Sequence, residues 1–200
     1  MKILCVSQIN RFYWFAMRAR FRGWRELRKD NDVTGMNTND YEYDVFVSYN
    51  NADKDWVMNR LIPTLEGAPH NLRVCVDYRD FKLGRTIIDN ILDAIQHSRK
   101  TVLILSPSFV DSEWCYFELE MANWRLFAEH RDVAVMVLLE PIPKEKIPLL
   151  LARLMRKRVY AKWTDDLGGQ RLFWEKLVDA LKSTNESKRR KTTRENNVVV

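Results

Sequence analysis

Two groups of residues in this 200-residue chain have types and spacing that suit chemistry. The first is Trp114 and Glu118. They are four residues apart, so on a helix they share one face. A carboxylate so placed can stabilise positive charge that develops during a reaction. The plainer role for Glu118 is to cap or bond near a sheet end, or to join Glu113 and Glu120 in a solvated acidic face. The second group is residues 78–85, where Arg79, Asp80 and Lys82 stand beside Phe81 and Leu83, and Gly84 frees the backbone. Apolar and charged side chains mixed on one connection suit a contact surface better than a core. Other chemistries lack their residues. Cys5, Cys75 and Cys115 form no CxxC pair and no metal-ligand spacing. Cys75 and Cys115 read as small buried hydrophobes in a reducing compartment. His70, His97 and His130 are far apart, and no glycine-rich phosphate cradle occurs. No metal or cofactor is expected.

The elements that must position these residues alternate between strand and helix. Residues 43–49 are apolar and β-branched, as in a buried strand. Asp53 is placed to cap a helix carrying Trp56, Val57, Leu61, Ile62 and Leu65 and ending at Gly67, with Pro63 a source of distortion. Residues 72–77 read as a second strand, 86–98 as a helix, and 101–105 as a third strand stopped by Pro107. A long helix over 111–130 and a near-continuously apolar fourth strand over 133–139 follow. Residues 140–148, with three prolines, form a loop; 158–161 form a short fifth strand; 170–182 form a last helix. Such alternation predicts an α/β fold: a parallel five-stranded sheet, flavodoxin-like in its order 2-1-3-4-5, with helices on both faces. The 78–85 loop then lies at the carboxyl ends of the strands, where such sheets bind partners. Ser48 and Tyr49 lie near the same surface and are placed to shape it. Phe173 and Trp174, at helical spacing with Leu177, Val178 and Leu181, belong to the core.

Four blocks in this order resemble the TIR domain, the signalling module of Toll-like and interleukin-1 receptors. They are Tyr-Asp-Val-Phe-Val-Ser-Tyr at 43–49, Val74 through Gly84, Ser112-Glu113-Trp114-Cys115 with Glu118-Leu119, and Phe173-Trp174. The resemblance implies homotypic TIR–TIR docking that recruits adaptors, without a cofactor. It makes residues 78–85 the BB loop, with Arg79, Asp80, Phe81, Lys82, Leu83 and Gly84 as its partner-binding positions. The usual vertebrate loop has proline where this chain has Leu83, which leaves the loop more mobile or gives it a larger apolar contact. Asp111, Ser112 and Glu113 form a second docking surface. A few TIR relatives cleave NAD with a glutamate four residues after a tryptophan, which corresponds to Glu118 after Trp114. NAD-cleaving animal relatives also carry arginines directly after the first strand, and this chain has Asn50-Asn51. An enzyme is therefore not expected; an NAD glycohydrolase using Glu118 is the alternative, and a soluble cytosolic TIR adaptor is a second.

The net charge of +6 divides unevenly: +3 over residues 1–42, −1 over 43–181 and +4 over 182–200. The basicity lies outside the folded part, which argues against a nucleic-acid-binding domain. Residues 1–30 carry aromatics including Trp14, then Arg18, Arg20, Arg22, Arg25 and Arg28. That pattern fits the inner edge of a membrane and anionic lipid. It resembles the juxtamembrane arm of a Toll-like receptor, at the cytoplasmic face of a membrane, although no apolar run is long enough to span one. Residues 31–42 read as a polar linker, 43–182 as the TIR domain and 183–200 as a disordered basic tail.

Overall fold

The computed structural model describes residues 41–111 and 134–183. The expected arm, most of the linker, the body of the 111–130 helix and the tail lie outside the described residues. Those described build a five-stranded parallel sheet in the order β2-β1-β3-β4-β5. The strands are β1 (Tyr43–Ser48), β2 (Val74–Cys75), β3 (Ser98–Leu105), β4 (Ala134–Leu138) and β5 (Ala161–Lys162). This is the order expected from the alternation of elements. The central strand β3 shows why both faces must be covered. Val102 and Ile104 point into one core, Leu103 and Leu105 into the other, as the two-residue period of a strand requires.

On the first face lie α1, a continuous helical run from Asn51 to Glu66, and α6 (Leu167–Lys182). Val57, Leu61, Leu65, Phe173, Leu177 and Leu181 pack there against Val45, Val47 and Val102. On the second face, α4 (Pro107–Val110) and α5 (Leu149–Lys157) bring Phe109, Leu151 and Leu154 onto Leu103, Leu105 and Met136. Among the described residues the other helices are α2 (Asp77–Asp80), a single turn, α3 (Ile87–His97), which packs on β1 and β3, and a 3-10 turn at Lys144–Lys146.

Several local outcomes differ from the sequence expectation, each for a physical reason. Asp53 does not cap α1. Asn50 does, its side chain accepting from the Ala52 N–H at 2.9 Å, and Asp53 is buried one turn further on. The distortion expected at Pro63 takes the form of a π turn, Val57–Leu61, just before it. A proline ring crowds the carbonyl four residues earlier, and a wider turn relieves that crowding. At the other end, any Cβ at Gly67 would sit 2.6 Å from the Pro63 carbonyl oxygen, so a glycine is needed there. Strand β2 is shorter than 72–77 because Asp80 Oδ2 accepts from the Val76 N–H at 2.8 Å, diverting that group from the ladder into the α2 turn. The sequence reading has no helix at α5, and β5 starts at Ala161 rather than 158 because Arg158 still serves as the extended C-cap of α5. Helix α6 starts at Leu167 rather than 170 because Asp166 caps it, accepting from the Gly169 N–H at 2.7 Å.

Where β5, α1 and α6 meet, four rings pack together. Trp163 stands edge-on to Trp56 and Phe173 at centroid distances of 5.1 Å each, and Trp56 stacks on Trp174 at 6.1 Å. Phe173 is core, as expected, while Trp174 is only partly buried.

Candidate docking surface

The connection from β2 to α3 is held from beneath and bare at its tip. Its first fastening is Arg79. The guanidinium donates to Glu66 Oε1 at 2.9 Å and Oε2 at 3.3 Å, to Asp80 Oδ1 at 3.1 Å, and to the Val74 carbonyl. The Glu66 bonds push its pKa up, so it stays charged. Arg79 is thus spent on the loop's own architecture. The second fastening is Phe81, which turns inward and stacks on the buried Phe46 with ring centroids 6.3 Å apart. Phe81 is partly buried rather than a free surface side chain, so the expectation that it stands apart from the core does not hold.

The third fastening is Asn90, on the first turns of α3 and 6% exposed. Its Oδ1 accepts from the Lys82 N–H at 2.8 Å, and its Nδ2 donates to the carbonyls of Lys82 at 3.1 Å and Thr86 at 3.2 Å. A buried amide must find partners, and here it finds them on the loop backbone. Asp93, one turn along, accepts from Lys82 Nζ at 2.9 Å and Arg85 Nη1 at 3.2 Å. Such exposed pairs contribute about 1 kcal/mol or less each. Neither Asn90 nor Asp93 was singled out from sequence; the signal was a polar residue, Asn90, among Ile87, Ile88 and Ile91.

Between these fastenings the chain reverses. The Arg85 N–H reaches the Lys82 carbonyl at 3.4 Å, and Gly84 has φ of +80°. That is the pattern of a type II turn with Leu83 at its second position and glycine at its third, where positive φ is required. Leu83 is completely exposed, at 101% of its reference area. Tyr78 is also exposed, with the Lys54 ammonium 5.4 Å from its ring centroid. The charged positions of the loop are therefore largely engaged internally, and the large apolar surface it presents comes from Leu83 at its tip and Tyr78 at its base.

A second polar cluster lies at the end of β3. Ser106 caps α4, accepting from the Phe109 N–H at 3.1 Å, and donates its own proton to Asp53 Oδ2 at 2.6 Å. Burial raises the Asp53 pKa, and the bond from Ser106 only partly offsets this. Asp111 follows α4, exposed and paired with Lys146 Nζ at 2.7 Å. Ser112 and Glu113 of the same expected surface lie outside the described residues. So do Trp114 and Glu118, and the arm residues Trp14, Arg18, Arg20, Arg22, Arg25 and Arg28. Cys75 is buried as expected, and burial pushes its thiol up to about 12. Among the described residues no group of His, Cys, Asp or Glu is placed to hold a metal ion, and no helix is long and apolar enough to cross a membrane.

A family profile described as the TIR domain matches residues 42–200. The chain belongs to the TIR-domain family. Among curated proteins it is 43% identical over 163 residues to Toll-like receptor 2 type-2 of Gallus gallus and 45% identical over 163 residues to Toll-like receptor 2 of Mus musculus. In both cases 80% of this chain is covered but only 21% of the relative, so the chain spans about one fifth of the length of these receptors. Among solved structures, the TIR domain of the Toll-related receptor TRR-2 from Hydra magnipapillata matches with a TM-score of 0.58 at 26% identity. That match covers 70% of this chain and 99% of the other. A metazoan TIR-STING receptor from C. gigas, in complex with 2',3'-cGAMP, matches with a TM-score of 0.57 at 27% identity, covering 74% of this chain and 42% of the other. This TIR domain is thus similar in sequence to the matching fifth of Toll-like receptor 2.

Proposed function

We propose that this chain is the TIR signalling part of a Toll-like receptor and works by docking, without a cofactor, onto a second copy of itself and onto adaptor TIR domains. The observation that carries the reading is Leu83: a fully exposed apolar side chain on a turn whose two flanks are tied down. Ordering a loop costs conformational entropy, and a turn already fastened by Arg79, Phe81 and Asn90 avoids most of it on binding. Clustering of receptor chains would raise the local concentration of these surfaces and turn weak contacts into lasting ones. The arginine-rich residues 18–29 would hold the arm to anionic lipid at the cytoplasmic face of the membrane, each near-surface charge contributing about 1 kcal/mol.

The test pairs a fold measurement with a docking measurement. Leu83→Asp puts a charge into a desolvated contact and should weaken self-association by about 2 kcal/mol or more. Its melting temperature should stay that of the parent, because the side chain touches no core. A sharp fall in melting temperature, or unchanged self-association in sedimentation, would remove Leu83 from the docking surface.

A further inference from the structure

Strand β1 lies between β2 and β3, and its end is where the strand order reverses. Chain leaving β1 can therefore reach the loop on either side. It does. The Tyr49 hydroxyl donates to Asp77 Oδ1 at 2.6 Å, on the oxygen that also accepts from the Tyr78 N–H at 2.7 Å. A phenol on a carboxylate at this distance is a strong, charge-assisted bond, and burial together with that bond raises the Tyr49 pKa. The adjacent residue turns the other way. Asn50 Nδ2 donates to the Ser108 carbonyl in α4 at 3.0 Å, and its Oδ1 accepts from Ala52 at 2.9 Å, so the amide is oriented from both ends. Three residues on, Asp53 receives the Ser106 proton at 2.6 Å.

We propose that Tyr49 and Asn50 are positioning residues that form a crossbar, setting the loop after β2 and the α4 turn after β3 in one fixed spacing. The biological meaning rests on the docking reading: a partner that engages Leu83 would meet the Asp111 surface already in place. The mechanical content stands without it. Two bonded side chains on consecutive residues cannot move independently, so loosening one should be felt by the loop held through the other.

Hydrogen exchange on the full 200-residue chain tests this through reciprocal remote effects. Asn50→Asp keeps an oxygen to cap α1 and replaces the donor to Ser108 by a carboxylate oxygen that repels the Ser108 carbonyl. Tyr49→Phe keeps the ring and loses only the proton to Asp77. With Asn50→Asp, exchange at the Tyr78 and Phe81 amides, which Asn50 does not touch, should rise about three- to tenfold. With Tyr49→Phe, the Phe109 and Val110 amides should respond in the same way. The double variant should give less than the product of the two single effects. Changes confined to each variant's own side overturn the crossbar, and so does a uniform rise across the whole sheet, which would be ordinary destabilisation. Self-association measured alongside keeps the two readings apart: if Leu83→Asp leaves it unchanged, docking at the loop fails while the exchange pattern still decides the crossbar.

Discussion

The two edges of the sheet are finished by different forces. At the β2 edge, beside the single Phe81 ring on Phe46, the fastenings are polar: Asp44 on Arg73, Arg79 on Glu66, Asn90 on the Lys82 backbone. At the β5 edge they are rings: Trp56, Trp163, Phe173 and Trp174 packed face and edge. The apolar burial that the rings supply is non-directional and scales with area, although ring pairs favour edge and offset contacts. Hydrogen bonds contribute less net free energy but dictate position. A surface that must present one side chain in one place needs the second kind of fastening, and the edge that only has to stay closed can use the first.

That contrast can be broken experimentally. The largest effect should come from Phe173→Ala, which empties the centre of the ring cluster and should cost about 3–5 kcal/mol of folding stability; a loss under about 1 kcal/mol in denaturant unfolding would show that the rings do not hold that edge. Phe81→Ala, at the other edge, should cost about 2 kcal/mol, since a partly buried ring on Phe46 is lost without emptying a core. A melting curve superimposable on the parent would return Phe81 to the free surface.

Acid should separate the edges further. The carboxyl of Asp44 is partly buried, which opposes ionisation, but the Arg73 backbone and side-chain bonds outweigh this and lower its pKa below the ordinary 3.8. A depressed folded-state pKa means stability that is present above the unfolded value and lost as pH falls through the folded one. After solvent screening it amounts to no more than about 1 kcal/mol. Below about pH 4, amides around β2 should therefore lose protection before those of α6. The reverse order would place the weaker edge at β5. The smallest effect belongs to Leu83→Pro. The second position of a type II turn accepts proline, so the substitution should stabilise by about 0.4–1 kcal/mol through the unfolded chain alone. Destabilisation would mean that the Leu83 backbone is not in that turn geometry.

The fold was legible because its signals are redundant: β-branched runs in β1, β3 and β4, helical spacing in α1, α3 and α6, and short connections between them. The site was only half legible. Phe81 and Leu83 are both apolar, two apart and flanked by charge, and nothing local distinguishes them. The difference is Phe46, thirty-five residues earlier in sequence, which takes one ring and leaves the other side chain outside. Asp53 misled for the opposite reason. Asp before an apolar helical run is an ordinary capping signal, but Asn50 occupied that role first and Ser106, from the end of β3, claimed the carboxylate. Helix α5 had its signal in Leu150, Leu151 and Leu154, overshadowed by the prolines before it. Tertiary partners decide each of these cases, and none is encoded within a window of a few residues.

The ring cluster has a further use. The Trp56 and Trp174 planes lie within 11° of parallel at 6.1 Å, and Trp163 is 5.1 Å from one and 5.6 Å from the other. Indoles this close share their excited states, so the native protein should show a coupled circular-dichroism signal and shortened fluorescence lifetimes from these three chromophores. Both should vanish when α1 parts from α6. The molecule thus carries its own optical gauge of closure, built on side chains outside the 78–85 loop, against which every loop variant can be read without a label.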